Sequence, residues 1–340
     1  MVNVKNPSSE DTSVKKYRFK NLAITLLPVA ALAVLFGLFC IVVTVNDYNL
    51  GLYLTNVINR GTVLVLVATG AIFIYTLGSF DISLGASTLL CATVGVLTYN
   101  STQNVVLTVV VMFAVGVGCS LLSSLLASVF RIPVFVTTVA MMSVLSAIAS
   151  QLIISNGSGN GLTLPKTVFG ALDSPFVKMA FIAVWVLICL FIFNFTKIGR
   201  REKFLGANPF CAKLTGISMY KYAVIAFVIA GIGVALGAIF TLSYSPTVNT
   251  GTASSIGMDI LVAIVFGGMP ISGGPRSKIY ASLIGGFSYV LLNLTLNIVL
   301  RMIGVNSQGS QGITQIISAV FFLAVVYLAS MNYRAKNLPR

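Results

Sequence analysis

The sequence predicts an all-α integral membrane protein, a polytopic helical bundle of about ten transmembrane helices with some of them short or broken. Its 340 residues are 57% hydrophobic and only 8% charged, against roughly 25% charged in an ordinary soluble domain. The apolar residues fall in runs close to the twenty or so that a helix needs to cross a ~30 Å hydrocarbon core. Every backbone polar group at that depth must be satisfied internally, which makes helices the simplest reading. The net charge of +14 sits between the apolar runs, where basic residues report topology and not nucleic-acid binding.

Taken in order, the expected spans are about residues 22 to 45, 60 to 78, 82 to 98, 105 to 129, 133 to 154, 177 to 195, 222 to 243, 258 to 271, 279 to 300 and 313 to 331. The first follows a basic segment, 1 to 21, and is longer than a signal-peptide core, so it reads as a retained span. The third and eighth are short and interrupted by polar residues or glycine. Ten crossings from a cytoplasmic N-terminus leave only Arg60, Lys166, Lys178 and Arg301 of the 21 Lys and Arg on the outer side. That asymmetry supports both the count and the orientation. The expected organisation is therefore a cytoplasmic segment 1 to 21, a transmembrane domain 22 to 331 and a cytoplasmic tail 332 to 340.

Two loops stand out. Residues 155 to 176 contain Asn156-Gly157-Ser158-Gly159-Asn160-Gly161, a turn-forming composition that fits an external loop. Residues 196 to 221 form the long internal loop. Within it, Asn208 can cap a helix, Pro209 suits the first helical position, and Gly216 can end it in the left-handed conformation. Phe210 and Leu214 then share one face of a two-turn helix at 209 to 215, with Lys213 beside them. Such a helix either docks into a partner or lies on lipid headgroups, and composition alone does not separate the two.

Other motifs have plain structural readings beside functional ones. The run Phe266-Gly267-Gly268-Met269-Pro270-Ile271-Ser272-Gly273-Gly274-Pro275-Arg276 forces a compact turn, and the chain contains no G-x-x-x-x-G-K-[ST] phosphate loop. Gly233 and Gly237, four apart within a span, suit close helix packing. Asp81 and Asp259 are acids near span ends; Asp81 can cap the third helix, the alternative being ion or proton transport. Asn293, Thr295 and Asn297 give the ninth span a polar face that either lines a pathway or bridges to a neighbouring helix.

Enzyme chemistry is disfavoured. The chain has no His, and with it lacks the commonest general base and metal ligand. Its cysteines at 40, 91, 119, 189 and 211 form no C-x-x-C pair and read as small apolar residues. No catalytic residue, metal site or cofactor is expected. An ion-coupled secondary transporter would place ionisable groups at the bilayer midplane, whereas nearly all the acids here lie at span ends.

Three segments together carry a resemblance: Asp81-Ile82-Ser83-Leu84-Gly85; Ile198-Gly199-Arg200 through Leu205-Gly206-Ala207-Asn208-Pro209 to Leu214-Thr215-Gly216-Ile217; and Asp259 through Gly267-Gly268 to Ser272-Gly273-Gly274. In order and spacing they resemble the membrane permease subunit of ribose/galactose-type ABC importers, from about residue 60 to 330. The resemblance implies a non-catalytic subunit of the cytoplasmic (inner) membrane of a bacterium. Its implied partners are a second permease subunit (homo- or heterodimer), a cytosolic ABC ATPase and an extracytoplasmic solute-binding protein. It also implies that 209 to 215 is the coupling helix. The chain has Ser79-Phe80-Asp81 and Gly257 where that family commonly has Gly-Ile-Asp and a Glu, and its segment 301 to 312 is longer than usual. Ribose-like sugars lead as the solute, with other monosaccharides and nucleosides open.

Overall fold

A computed structural model describes the backbone of residues 7–157, 161–252, 256–270, 272–305, 312–317, 319–320 and 323, and side chains from residue 26 onward. The long helices are α1 (Pro7–Val45), α2 (Leu50–Thr76), α3 (Leu84–Thr102), α4 (Val105–Phe130) and α5 (Val134–Asn156). A short stretch follows, with strand β1 (Leu162–Thr163), helix α6 (Lys166–Phe169) and a 3₁₀ turn at Gly170–Asp173. Then come α7 (Pro175–Phe195), α8 (Lys197–Ala207), α9 (Pro209–Leu214), α10 (Met219–Tyr244), strand β2 (Thr247–Val248), α11 (Ile256–Phe266), a 3₁₀ turn at Gly274–Arg276, and α12 (Tyr280–Met302).

Seven of these helices are long and apolar enough to cross a membrane. The 19 residues of α3 give about 28 Å of rise, close to a crossing, but the 11 residues of α11 give only about 17 Å. The short third and eighth spans are thus distinct cases. The expected eighth span, 258 to 271, stops at Phe266 because Gly268 turns left-handed at φ +82°, and Pro270 follows. In the other direction, α2 begins ten residues before the expected start, because Asn49 Oδ1 accepts hydrogen bonds from the amides of Gly51 and Leu52. Arg60 consequently sits within α2 and not in a loop. Most of the expected tenth span lies outside the described residues.

The core forms around α2, whose residues 61–76 are all buried. It is flanked by α10, α12 and α7, while α4 packs on α10 and α3, and α5 packs on α3. Close approach of α2 and α10 depends on glycine: a Cβ on Gly233 would stand 2.9 Å from the Leu66 carbonyl oxygen, and one on Gly237 would strike the Val67 side chain. Hydrogen bonds at depth add specificity. Trp185 Nε1 donates to the Leu66 carbonyl (3.0 Å), the Thr69 and Ser282 hydroxyls pair at 2.8 Å, and the Tyr289 hydroxyl donates to Asp259 Oδ1.

At one end of the bundle β1 pairs antiparallel with β2, setting Leu162 opposite Val248. Beneath it the ammonium of Lys178, a fully buried side chain, donates to Asn59 and Asp173 and lies 5.6 Å from the centre of the Tyr244 ring. That knot joins α2, α7, α10 and the turn before α7. The opposite end carries α8, α9 and the Gly274–Arg276 turn.

Candidate functional site

Residues from all three sequence motifs meet at the α8 end, although Asp81 and Gly274 are almost two hundred positions apart. The reason is close backbone contact. A Cβ on Gly206 would lie 1.9 Å from the Thr76 carbonyl oxygen and 2.9 Å from the Gly274 amide nitrogen, and the positive-φ Gly273 sits as tightly against the Tyr75 carbonyl (2.4 Å). Only glycine fits at either point. Gly257, at the head of α11, abuts the Ile82 carbonyl, and Gly267 abuts that of Ala281. The C-terminus of α2, the 79–83 turn, α8, α11 and the Gly274–Arg276 turn therefore form one joint.

Asp81 is buried in that joint. Its Oδ1 accepts from the Ser83 amide (2.8 Å) and the Ser83 hydroxyl (2.6 Å), closing a turn just ahead of α3, in whose first turn Gly85 is buried. Thr138 clamps the same turn to α5: its hydroxyl donates to the Phe80 carbonyl (3.3 Å) and accepts from the Ile82 amide (3.4 Å). Asp259, by contrast, ties α11 to α12 through Tyr289.

From this joint α9 projects outward. Asn208 Oδ1 accepts from the amides of Phe210 and Cys211, both at 3.1 Å, Pro209 occupies the first turn, and Gly216 closes the helix at φ +78°. Ala212 faces inward and is fully buried, whereas Phe210 and Leu214 are 71% and 74% exposed. Lys213 lies on the exposed side as well. Two large apolar side chains are thus displayed on one short helix, with Lys213 beside them.

The polar residues of α12 behave differently. Thr295 is buried and its hydroxyl donates to the Leu291 carbonyl, while the half-buried Asn293 and Asn297 donate to the carbonyls of Tyr289 and Asn293 on their own helix. Their helix packs against α1, α2 and α11, away from α9.

Two features escaped the sequence reading. On α5, Ser143, Gln151 and Ser155 are exposed, with Ala147 between them at the same four-residue spacing. The exposed faces of α1, α4 and α7 are almost wholly apolar. The four-residue recurrence of small and polar residues in an apolar span was the signal that could have found this face. The second feature is Glu202, a fully buried acid on α8; its place among Gly199-Arg200-Arg201 and Lys203 disguises it as part of a charged surface helix.

A cleft of about 220 Å³ between α2, α4, α5 and α10 is lined by apolar residues such as Ile74, Leu77, Ile132, Val134 and Phe227, with Ser79, Ser128 and Tyr220 among them. Its walls are mostly apolar. Among the described residues no cluster of His, Cys, Asp or Glu could hold a metal ion.

Residues 53–330 match the family described as branched-chain amino acid transport system / permease component. The chain belongs to that family. It is 28% identical over 285 residues to the ribose import permease protein RbsC of Bacillus subtilis, covering 80% of this chain and 85% of the relative. It is 25% identical over 270 residues to RbsC of Escherichia coli K12 (75% and 79% covered). With the galactose/methyl galactoside import permease protein MglC of the same organism it shares 23% identity over 311 residues (84% and 88%). No solved structure matches it. The chain is thus a permease component, the membrane part of a transport system, built as a multi-pass helical bundle.

Proposed function

We propose that this chain is the non-catalytic permease subunit of an ATP-driven importer, forming the pathway for a small polar solute, and that α9 is the surface on which a cytosolic ABC ATPase docks. The observation that carries this reading is the capped helix with Phe210 and Leu214 turned away from the bundle. Relatives named for ribose and for galactose import favour a monosaccharide as the solute. On this reading the basic α8 and α9 end is cytoplasmic, as are both termini, and the β1–β2 end faces the binding protein that delivers the solute.

The pathway lies between this chain and a second permease subunit. A sugar needs hydrogen-bonding walls, and the α5 face with Ser143, Gln151 and Ser155 supplies them where lipid would reward apolar residues. Asn293, Thr295 and Asn297 remain candidates on α12. Asp81, Ser83, Gly85, Asp259 and the glycines 267, 268, 273 and 274 shape the joint that carries motion inward. When ATP closes the ATPase dimer, a rigid-body displacement of α9 passes through α8 to α2 and α11, re-aiming the spans around the pathway.

The deciding experiment replaces Phe210 and Leu214 together by Asp in the full transporter. Each buried apolar side chain contributes about 1.5 to 3 kcal/mol to a docked interface. The ATPase should therefore no longer co-purify, or its hydrolysis should cease to respond to loaded binding protein, while membrane insertion persists. A variant that keeps the ATPase bound and stimulated means that α9 lies on lipid headgroups instead.

A further inference from the structure

Glu202 has no role in that reading. It lies one helical turn before Gly206 on the inward face of α8, beside the buried Gly199 and Leu205, and is 0% exposed. Neither carboxyl oxygen has a hydrogen-bond partner. An acid buried without partners is the costliest way to place a charge, and a neutral carboxyl avoids most of that cost.

The surrounding elements supply no counter-charge among the described residues. On α8 itself, Arg201 is committed to the Tyr222 hydroxyl of α10 (2.6 Å) and Lys203 to Asn194 Oδ1 (2.8 Å), while Lys197 and Arg200 are exposed. The turn packed against α8 brings Arg276, α9 brings Cys211 and Lys213, and the start of α10 brings Tyr220 and Lys221; all five are exposed. The last turn of α7 holds no titratable group. From α2 comes only Tyr75, whose buried hydroxyl is itself unpartnered, as is the hydroxyl of Ser277 on the neighbouring turn. Burial thus acts on Glu202 unopposed and raises its carboxyl well above the usual carboxylate range.

The same surroundings are the joint described above. At Gly206 α8 meets the Gly274–Arg276 turn and the end of α2 backbone to backbone. Parting them by a few ångströms would let water reach residue 202. We propose that Glu202 is a proton-binding site built into this joint, holding a proton while α8 is seated against the Gly274–Arg276 turn and releasing it to water when the joint opens. In the opening step the carboxyl O–H bond breaks, the proton passes to water and the carboxylate remains. The sign follows from linkage. The closed joint has its full stability below the ordinary carboxylate pKa and loses it as pH rises toward the raised value, so alkali favours opening. That the joint matters to transport rests on the docking reading of α9; proton binding does not.

The test uses the full chain in lipid nanodiscs without partners. The infrared difference between wild type and Glu202→Gln should contain the carbonyl stretch of a protonated carboxylic acid at neutral pH, and its absence would overturn the proposal. Amide hydrogen exchange of residues 197–207, followed against pH, should rise up to about tenfold more per pH unit in wild type than in the variant, the limit for one linked proton. Equal slopes would also overturn it. If the Gln variant does not fold, Glu202→Leu, which buries no polar group, serves as the insensitive reference. Failure of these measurements with normal loss of ATPase binding in the Phe210 and Leu214 variant would leave docking standing and remove the proton site; the reverse pattern would do the opposite.

Discussion

Lys178 and Asp173 form an ion pair whose two members occupy unlike places. The lysine side chain is completely enclosed, whereas that of Asp173 is 49% exposed. The two substitutions that break the pair should therefore differ. Removing the lysine as Lys178→Met leaves an aspartate free to turn to water and only the buried Asn59 oxygen without its donor, which should cost about 1 kcal/mol. Removing the acid as Asp173→Ala leaves a buried ammonium with only the Asn59 oxygen and the Tyr244 ring, which should cost about 3 kcal/mol. Thermal unfolding of the two variants in the same detergent checks the order, and an equal or inverted effect would show that the pair is not what holds the Lys166–Asp173 stretch to the bundle. This knot was hidden in the sequence, since Lys178 and Asn59 are 119 positions apart and neither sits in a recognisable motif.

At the scale of the element, α9 is set by its cap. Six residues are far too few for a helix to stand in water by propensity alone, so the Asn208 side chain and the buried Ala212 must supply its order. Asn208→Ala should cost about 1 kcal/mol of local stability, roughly a fivefold loss of ATPase affinity if the helix must be formed to dock. Titrating the purified ATPase against permease in nanodiscs measures it, and unchanged affinity would mean that the partner orders the segment by itself. This helix was legible in the sequence because cap, proline, apolar pair and terminal glycine are all local signals. The interruption of the eighth span was legible for the same reason, since glycine and proline act on their own neighbours, whereas the third, expected to be interrupted as well, runs unbroken as the 19 residues of α3. The start of α2 was not, because Arg60 drew the boundary away from the Asn49 cap. Nor was the role of Gly206: an unremarkable glycine in a basic loop becomes necessary only because the Thr76 carbonyl, distant in sequence, lies against it.

For the whole molecule, the two ends are chemically different and the membrane must separate them. One carries β1, β2 and α6. The other carries α8 and α9 with the basic residues at 197, 200, 201, 203 and 213. Positive loops are retained on the cytoplasmic side, so the basic end should be the inner one. Residue Ser158, a natural reporter for the other side, lies outside the described residues; the exposed Thr167 on α6 serves in its place. The native cysteines supply the inner probe. Cys91, Cys119 and Cys189 are buried and Cys40 is partly so, while Cys211 is exposed on α9. A membrane-impermeant maleimide should leave wild-type protein in intact cells unmodified, label it in inverted vesicles, and lose that signal in Cys211→Ser. Introducing Thr167→Cys into the Cys211→Ser background should restore labelling in intact cells only. If both cysteines react from the same side, the odd number of crossings between α6 and α9 is wrong, and α9 could not meet an ATPase across the bilayer from the β1–β2 end.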